Sequence, residues 1–359
     1  MGEGTFAGLD VHARSVTCGL IDEQTGEVRI TRAPHQTDEL VSWLSELPAP
    51  VRITYEAGPT GYGLARAAEA AGIRCLIAAP SKIPRAPGQR VKNDRSDAER
   101  LARLLRAGDL TPVAVPSPAD EGARDLVRAR EDARADLMRA RHRLSKMLLR
   151  YGHLYDGRAW TGAHDAWLRR QRLADPSAQA ALGDYYDTML QARLRRDRLD
   201  QAIDELAGRE DLAPIVNRLC CVRGVSTLTA VGLATEIGDW HRLTGRTIGA
   251  YLGLTPTEAQ SGARHTRGGI SKTGNSHARR LLVEAAWHQR RPRRTSVALE
   301  RRREKASPQA RARAAQAEQR LHRRWAHLEG RRKLKRTVVA TAVARELAGW
   351  CWSLATMQD

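Results

Sequence analysis

Hydrophobic and polar positions alternate along the first eighty residues in a pattern that predicts strands separated by helices. An apolar run at Thr5–Leu9, alternation over Val16–Ile21 and a third run at Val28–Thr31 predict three antiparallel strands. The pattern then predicts two helix–strand pairs, namely helix 40–47, strand 51–55, helix 62–71 and strand 73–78. Such alternation predicts a mixed α/β sheet covered by helices on both faces.

The order β-β-β-α-β-α-β-α is that of a ribonuclease H-like domain, which we assign to residues 1–116. In that fold the first and fourth strands are neighbours, so Asp10 and Glu56, at their ends, are expected to lie close together. A helix running to about residue 105 would bring Asp94 and Asp97 to the same place. These two residues are three apart, so their carboxylates project from one side of the helix.

Ordinary structural explanations exist for most of these acidic residues. Ser96 with Glu99 fits a capping box, and Asp97 would then favour the positive end of the helix dipole. Asp10 fits a turn residue at a strand end, and Glu56 fits a loop carboxylate. The occurrence of four acids at corresponding element ends is what indicates a functional site.

Four converging carboxylates repel one another unless cations lie among them. Hard oxygen ligands select Mg²⁺ or Mn²⁺. Two such ions about 4 Å apart hold the attacking and leaving oxygens of a phosphoryl displacement, as in nucleases and polymerases. The predicted chemistry is therefore phosphodiester cleavage or transfer.

Residues 117–210 carry two apolar series with spacings of three and four, interrupted at Arg196. They predict two long helices in a coiled-coil hairpin with an irregular tip at Tyr151–Pro176. An ordinary helical bundle packed on the sheet is the alternative. The series are Leu126, Ala133, Leu137, Ala140, Leu144, Met147 and Tyr151, then Leu182, Tyr185, Met189, Ala192, Leu199, Ile203 and Leu206.

Residues 211–290 are predicted to form a mostly α-helical domain. Val222–Ala230 resembles the corner of a helix-hairpin-helix, which presents backbone N–H groups to phosphate, although a plain turn between helices fits as well. Thr255–Asn275 is expected to be a long polar loop, and such loops are usually functional or disordered. Its hydroxyl candidates, among which spacing alone does not choose, are Ser261, Ser271 and Thr273.

The charge balance indicates a polyanionic partner. The chain has 60 Lys and Arg against 41 Asp and Glu, a net charge of +19. Arg290–Arg336 holds 18 basic residues against four Glu, so the predicted basic helical extension at 291–359 is expected to follow a nucleic-acid backbone. Thr337–Leu354 is expected to be its closing helix, with Trp350 and Trp352 in the core.

Other features of composition narrow the class of protein. No apolar run reaches 18 residues, which favours nucleic acid over membrane as the partner. The five cysteines show no C-x-x-C spacing and follow no secretory signal, so a reducing cytoplasmic location without a zinc site is expected.

Several motifs, in a fixed order, make the chain similar to the bridge-RNA-guided insertion-sequence transposases, which pair a RuvC-like four-acid (DEDD) domain with a transposase domain carrying a catalytic serine. The resemblance implies that Asp10, Glu56, Asp94 and Asp97 bind the metal and that Ser261, rather than Ser271, is the nucleophile. The matching motifs are Gly8-Leu-Asp-Val11, Tyr55-Glu-Ala-Gly-Pro-Thr-Gly-Tyr62, Lys92-Asn-Asp-Arg-Ser-Asp-Ala98, Tyr251-Leu-Gly-Leu-Thr-Pro256, Gln260-Ser-Gly262 and Ile270-Ser-Lys-Thr-Gly-Asn275.

The resemblance further implies double-stranded DNA and a guide (bridge) RNA as partners, and a homo-oligomer whose protomers share a composite active site. Two other classes remain open from the residues themselves. A metal-dependent, junction-resolving nuclease would need only the acidic cluster. A non-catalytic nucleic-acid-binding protein would need only the basic segment and the hairpin corner.

Overall fold

The structure is a computed structural model that describes residues 4–84, 93–261, 264–292 and 295–358. The chain divides into two compact units, residues 1–117 and 118–359. Each unit has a hydrophobic core of its own. The finer division of the second unit into an arm, a serine-bearing domain and a basic extension stays a prediction.

Within its described residues, the first unit is built on a five-stranded mixed sheet with three α-helices. The strands lie in the order β3-β2-β1-β4-β5, with β1 antiparallel to β2 and parallel to β4. The predicted element order and the pairing of the first and fourth strands are confirmed. The elements are β1 Thr5–His12, β2 Ser15–Asp22, β3 Val28–Ala33, α1 Thr37–Ser45, β4 Val51–Glu56, α2 Gly63–Ala70, β5 Arg74–Ala78 and α3 Asp94–Ala107.

Alternation along the strands decides which residues meet which helices. Leu9 and Tyr55 are a cross-strand pair and are buried in the core that α1 and α2 cover. Side chains one residue away point to the opposite face of a strand. Gly8 on that opposite face lies against α3, and Asp10 and Glu56 share its face.

Gly8 permits the close approach of α3 to the sheet. A Cβ atom added there would lie 2.2 Å from the carbonyl oxygen of Ala98 and 2.3 Å from the nitrogen of Ala102. Both neighbours are helix backbone, which cannot move aside cheaply. The approach of α3 to β1, and with it the position of the acidic helix start, therefore requires glycine at this position.

Gly8→Ala is expected to destabilise the first unit by about 1–3 kcal/mol, because the added methyl group forces α3 away from β1. Thermal unfolding of wild type and variant measures the effect. Gly63→Ala is the matched control, since a Cβ at Gly63 meets nothing within 4 Å and alanine favours a helix. Equal melting temperatures for Gly8→Ala and wild type would show that α3 does not lie so close to the sheet.

The start of α3 differs from the sequence-based expectation. Asn93 is the N-cap residue, and its side chain accepts a hydrogen bond from the backbone N–H of Arg95 at 3.1 Å. Ser96 lies inside the first turn and donates its hydroxyl to the Asn93 carbonyl at 2.8 Å. The capping box of Ser96 and Glu99 is therefore wrong, because asparagine, an equally good cap, begins the helix earlier.

The second unit begins with two long antiparallel helices, α4 Pro118–Arg150 and α6 Pro176–Leu206. Ion pairs link them at two levels, Arg130 with Asp200 at 2.7 Å and Arg195 with Asp136 at 2.8 Å. The two predicted helices are confirmed, while a coiled coil stays a prediction. Apolar positions of both series pack between them, among them Leu137, Leu144, Met147, Leu182 and Met189.

The tip between these helices is more ordered than expected. It contains a nine-residue helix, α5 Gly162–Arg170, capped by the Thr161 side chain. Within this helix the His164 ring stacks on the Trp167 ring, with 5.6 Å between the ring centroids. The prediction of an irregular tip at Tyr151–Pro176 is therefore partly wrong.

Most of the remaining helices contribute buried residues to one core, whereas the two remaining strands form an exposed hairpin. These elements are α7 Ala213–Cys220, α8 Thr227–Ile237, α9 Ile248–Tyr251, β6 Pro256–Ser261, β7 Arg264–Ile270, α10 Ser276–Trp287, α11 Val297–Arg303, α12 Pro308–Ala326 and α13 Arg336–Ala355. Short 3-10 and π turns at His288–Arg290 and His327–Arg331 extend α10 and α12.

The expected long polar loop at Thr255–Asn275 is wrong. Strands β6 and β7 form an antiparallel hairpin, with Glu258 and Arg267 as a cross-strand ion pair at 3.0 Å. A two-stranded ribbon has no buried face, so its sequence carries no alternation of apolar and polar residues. That is why the hairpin resembles a loop in the sequence.

The basic segment contributes to the core as well as to the surface. Leu321 and Trp325 of α12 are buried, and α13 fills the centre of the unit. Trp350 and Trp352, expected in the core, are only partly buried, but both pack against it. Among the residues that the structure describes, no helix is both long and apolar enough to cross a membrane.

Candidate active site

The end of β1 and the start of α3 bring two carboxylates and one imidazole together. Ligand atoms of Asp10, His12 and Asp94 all lie within 4.8 Å of one another. The His12 Nε2 atom is 3.4 Å from Asp10 Oδ2 and 4.0 Å from Asp94 Oδ1. Asp10 reaches the site from the strand and Asp94 from the first position of the helix, so the packing of α3 on β1 creates the cluster.

Asp10 is the carboxylate most strongly affected by this arrangement. Its side chain is 20% exposed, and burial, with further contributions from the charges of Asp94 and Asp97, raises its pKa despite the opposing effect of His12. Asp10 Oδ2 is buried, and its contact with His12 Nε2 at 3.4 Å is longer than an ordinary hydrogen bond. A divalent cation would satisfy this oxygen, so the residues fit such an ion.

Asp97 lies close enough for its charge to act on Asp10, but its carboxylate is paired with an arginine of its own helix. Its Oδ1 atom accepts a hydrogen bond from Arg100 Nη2 at 2.7 Å. The two residues are three positions apart in the helix and form an ion pair. The structure therefore brings Asp10, Asp94 and Asp97 into one neighbourhood. Asp97 would have to exchange Arg100 for an ion in order to ligate it.

Glu56 stands apart from this group. It is the last residue of β4, and it follows Tyr55, the last residue paired with β1. Its side chain is exposed, and it is not part of the cluster within 4.8 Å that the described residues form. The strand places Glu56 at the expected end and face of the sheet, without bringing its carboxylate to Asp10.

His12 was missed by sequence reasoning. It lies two residues after Asp10 on the same strand, and period-two alternation places both side chains on the α3 face. An Asp-x-His spacing at a strand end was the available signal. A search for carboxylates alone does not consider it.

The hydroxyl candidates all lie in the second unit, at or near the hairpin. Ser261 ends β6 and pairs through its backbone with Arg264. Its side chain, and the whole of Gly262, lie outside what the structure describes, as does Lys92 in the acidic motif. Ser271 and Thr273 share a hydrogen bond at 3.1 Å between their hydroxyl oxygens.

A buried carboxylate, Glu236 on α8, anchors the segment that follows the hairpin. Only 1% of its side chain is exposed. It accepts hydrogen bonds from Arg128 at 3.1 Å and from Asn275 Nδ2 at 2.6 Å, and lies 3.2 Å from His277 Nδ1. Burial alone would raise its pKa, but these hydrogen bonds outweigh it and lower the pKa to about 2. Sequence reasoning missed Glu236 because a single acid in an apolar helix carries no spacing signal.

Comparison with known proteins bears on both units. Residues 7–153 match the DEDD-type IS110 transposase domain, described as a transposase, and residues 216–300 match the transposase IS116/IS110/IS902 family. A protein of Sinorhizobium fredii named as a transposase, y4qE, is 41% identical over 98% of this chain and 88% of its own length. The transposase for insertion sequence element IS1533 of Leptospira borgpetersenii is 31% identical over 91% of this chain and 97% of its own length.

The chain belongs to the IS110/IS116/IS902 family of transposases. The first family match contains the four predicted acidic residues, and the second contains Ser261. As a member of this family the transposase would bind DNA. The DEDD-type domain suggests dependence on a divalent metal, and the cluster around Asp10 is a candidate place for the ion.

Proposed function

We propose that this transposase cuts and rejoins the DNA of its insertion sequence through a covalent bond to Ser261, assisted by divalent metal and directed to its targets by a guide RNA. The observation that carries the proposal is the cluster of Asp10, His12 and Asp94, in which the Asp10 Oδ2 atom is buried and, among the described residues, only His12 Nε2, at 3.4 Å, lies near hydrogen-bond distance. The strand order of the first unit supports a ribonuclease H-like (RuvC-like) fold for the domain that carries it.

Asp10, Glu56, Asp94 and Asp97 would hold Mg²⁺ or Mn²⁺, with His12 as a neighbour on the same strand. When bound, such ions neutralise the reacting phosphate and activate the attacking hydroxyl. Asp10 and Asp94 are already together, while Glu56 and Asp97 would reach the ions by side-chain rotation. The release of Asp97 frees Arg100, whose guanidinium is suited to a phosphate oxygen.

In the proposed step the Ser261 hydroxyl oxygen forms a bond to a DNA phosphorus atom. The bond from that phosphorus to a sugar oxygen of the leaving strand breaks, the serine proton passes to water, and the sugar oxygen takes up a proton. One phosphodiester replaces another, so the bond energy is conserved. Attack on the phosphoserine by a sugar hydroxyl of another strand then reverses the same exchange and joins the strands.

The acidic cluster belongs to the first compact unit and Ser261 to the second. We propose a homo-oligomer in which one protomer contributes the cluster and another the serine, making a composite site. Guide RNA would select the DNA by base pairing, while the basic protein contacts backbone phosphates. The net charge of +19 supports the binding of both DNA and RNA.

The test is a denaturing gel of the protein with its guide RNA and the junction DNA of its element, with and without Mg²⁺. Wild type is expected to give a protein–DNA adduct that needs the metal. Ser261→Ala is expected to abolish the adduct, because no other group replaces the nucleophile. Ser271→Ala is the matched control, ten residues along the chain, and is expected to retain it.

Other outcomes assign the chain to a different class. Metal-dependent cleavage without an adduct, unaffected by Ser261→Ala, would indicate a structure-selective nuclease. Binding of DNA without cleavage under all conditions would indicate a non-catalytic protein. Either result contradicts the serine mechanism.

A further inference from the structure

A cavity of about 1100 Å³ lies in the second unit, beside the corner between α7 and α8. It is walled by that corner, by the end of α10 and its 3-10 turn, and by α11. Its lining includes four arginines together with one tryptophan and one histidine, namely Arg223, Arg290, Arg291, Arg302, Trp287 and His288. We refer to this cavity as the arginine groove.

Positive charge in the arginine groove is only partly balanced by carboxylates, since Arg290 pairs with Glu329 at 3.3 Å while two other arginines have no such partner in the part of the chain that the structure describes. Arg302 donates to the neutral carbonyl of Val225 at 2.9 Å, and Arg291 is exposed. Among the described residues neither of these two arginines forms an ion pair. The carboxylate of Glu284 at the wall lies 2.6 Å from Arg280, a residue of its own helix. A groove of this kind attracts a polyanion.

The neighbouring arginines also affect the pKa of His288. Burial lowers its pKa first, and the charges of Arg223, Arg291 and Arg302 lower it further. The imidazole therefore stays neutral near pH 7, and the arginines supply the charge.

Size and lining distinguish between forms of nucleic acid. A cavity of this volume holds a few nucleotides of one strand and is far too small for a double helix. Trp287 on its wall is 38% exposed, and its ring packs against that of Trp325 with 5.4 Å between the ring centroids. An exposed ring among arginines is the arrangement on which unpaired bases stack while their phosphates are neutralised.

We propose that the arginine groove binds an unpaired segment of the guide RNA. This assignment rests on the RNA guidance proposed above. The DNA that a transposase cuts is double-stranded, whereas RNA presents unpaired loops. The hydroxyl groups of Ser226 and Thr229 line the groove as well and share a hydrogen bond at 3.1 Å. The Ser226 oxygen also caps α8, so the remaining lone pair of the Thr229 oxygen is the acceptor offered to a ribose 2′-hydroxyl.

The test measures binding of fluorescein-labelled oligo(U) of eight nucleotides by fluorescence anisotropy, in EDTA, to the full chain carrying Ser261→Ala. Neither metal nor serine chemistry contributes under these conditions, so failure of the catalytic proposal does not affect the result. Arg291→Ala in this background is expected to weaken binding about fivefold. It should also reduce the slope of log K against log salt by about 0.7, the loss of one phosphate contact on a single strand.

Arg301→Ala is the matched control. Arg301 is an exposed arginine of α11, adjacent in sequence to Arg302 but not part of the groove lining. It removes the same charge and is expected to leave the salt slope unchanged. Equal losses for Arg291→Ala and Arg301→Ala would overturn the proposal in favour of a diffuse basic surface. Oligo(dT) bound as tightly as oligo(U) would overturn the assignment to RNA.

Discussion

Replacing Asp10 by Asn is expected to reduce metal-dependent DNA processing by more than about 100-fold. Even the removal of a residue that only hydrogen-bonds to a metal ligand typically lowers metal affinity or activity by about 10–100-fold. The fold should survive. The variant keeps the shape of the side chain and removes a half-buried charge from beside Asp94 and Asp97. Its melting temperature is therefore expected not to fall below that of wild type.

This pairing of lost activity with retained stability separates a metal ligand from a structural residue. Asp94→Asn is expected to give the same loss of activity. Asp38→Asn is the matched control, since Asp38 also lies in the first turn of a helix but on α1, which packs on the other face of the sheet. If Asp10→Asn kept wild-type activity, the acidic cluster would have no role in the reaction.

Glu236→Ala is expected to lower the free energy of unfolding of the second unit by about 3 kcal/mol, because it removes a buried charged acceptor that holds two partly buried side chains and an arginine together. Asn275 and His277 lose a shared hydrogen-bond partner, and Arg128 loses its ion pair. For a unit of this size the change corresponds to a decrease of about 6–12 °C in melting temperature. Calorimetry of the full chain measures it.

An exposed carboxylate provides the contrast. Glu284→Ala removes an ion pair within α10 in which Glu284 is 58% exposed, and is expected to change stability by less than about 1 kcal/mol. Similar effects of Glu236→Ala and Glu284→Ala would mean that the buried network contributes nothing beyond a surface pair.

The pH dependence of stability follows from the same residue. Because the pKa of Glu236 falls from 4.5 in the unfolded chain to about 2 in the folded chain, its contribution is present above pH 4.5 and is lost as the pH falls toward 2. Glu236→Gln is expected to unfold with a weaker dependence on pH in that interval. If the acid unfolding transition of this variant were the same as that of wild type, a residue other than Glu236 would be responsible for the loss of stability at low pH.

The sheet and the acidic cluster were predictable because their signals are local. Alternation of apolar and polar residues defined the strands, and the order of elements made β1 and β4 neighbours, as the register confirms. Asp10 and Asp94 then followed from element ends. What the sequence did not contain is the conformation of the side chains, which leaves Glu56 exposed and pairs Asp97 with Arg100.

Other features depend on partners far away in the sequence. Glu236 is held by residues of α4 and of the segment before α10, and no spacing within α8 indicates that network. The β6–β7 hairpin lacks an apolar face, so its strands resemble a loop. The arginine groove combines residues of the α7–α8 corner with others some seventy positions later, which a count of basic residues cannot reveal.

The most direct test of the account is to identify the protein atom that carries the DNA. Adduct formed by wild type with Mg²⁺ would be digested with protease and nuclease and the linked peptide sequenced by mass spectrometry. The account predicts a nucleotide phosphate on Ser261, with no such peptide when EDTA replaces Mg²⁺ or when Asp10→Asn is used. A phosphate on Ser271 or Thr273, or an adduct formed equally well in EDTA, would contradict it.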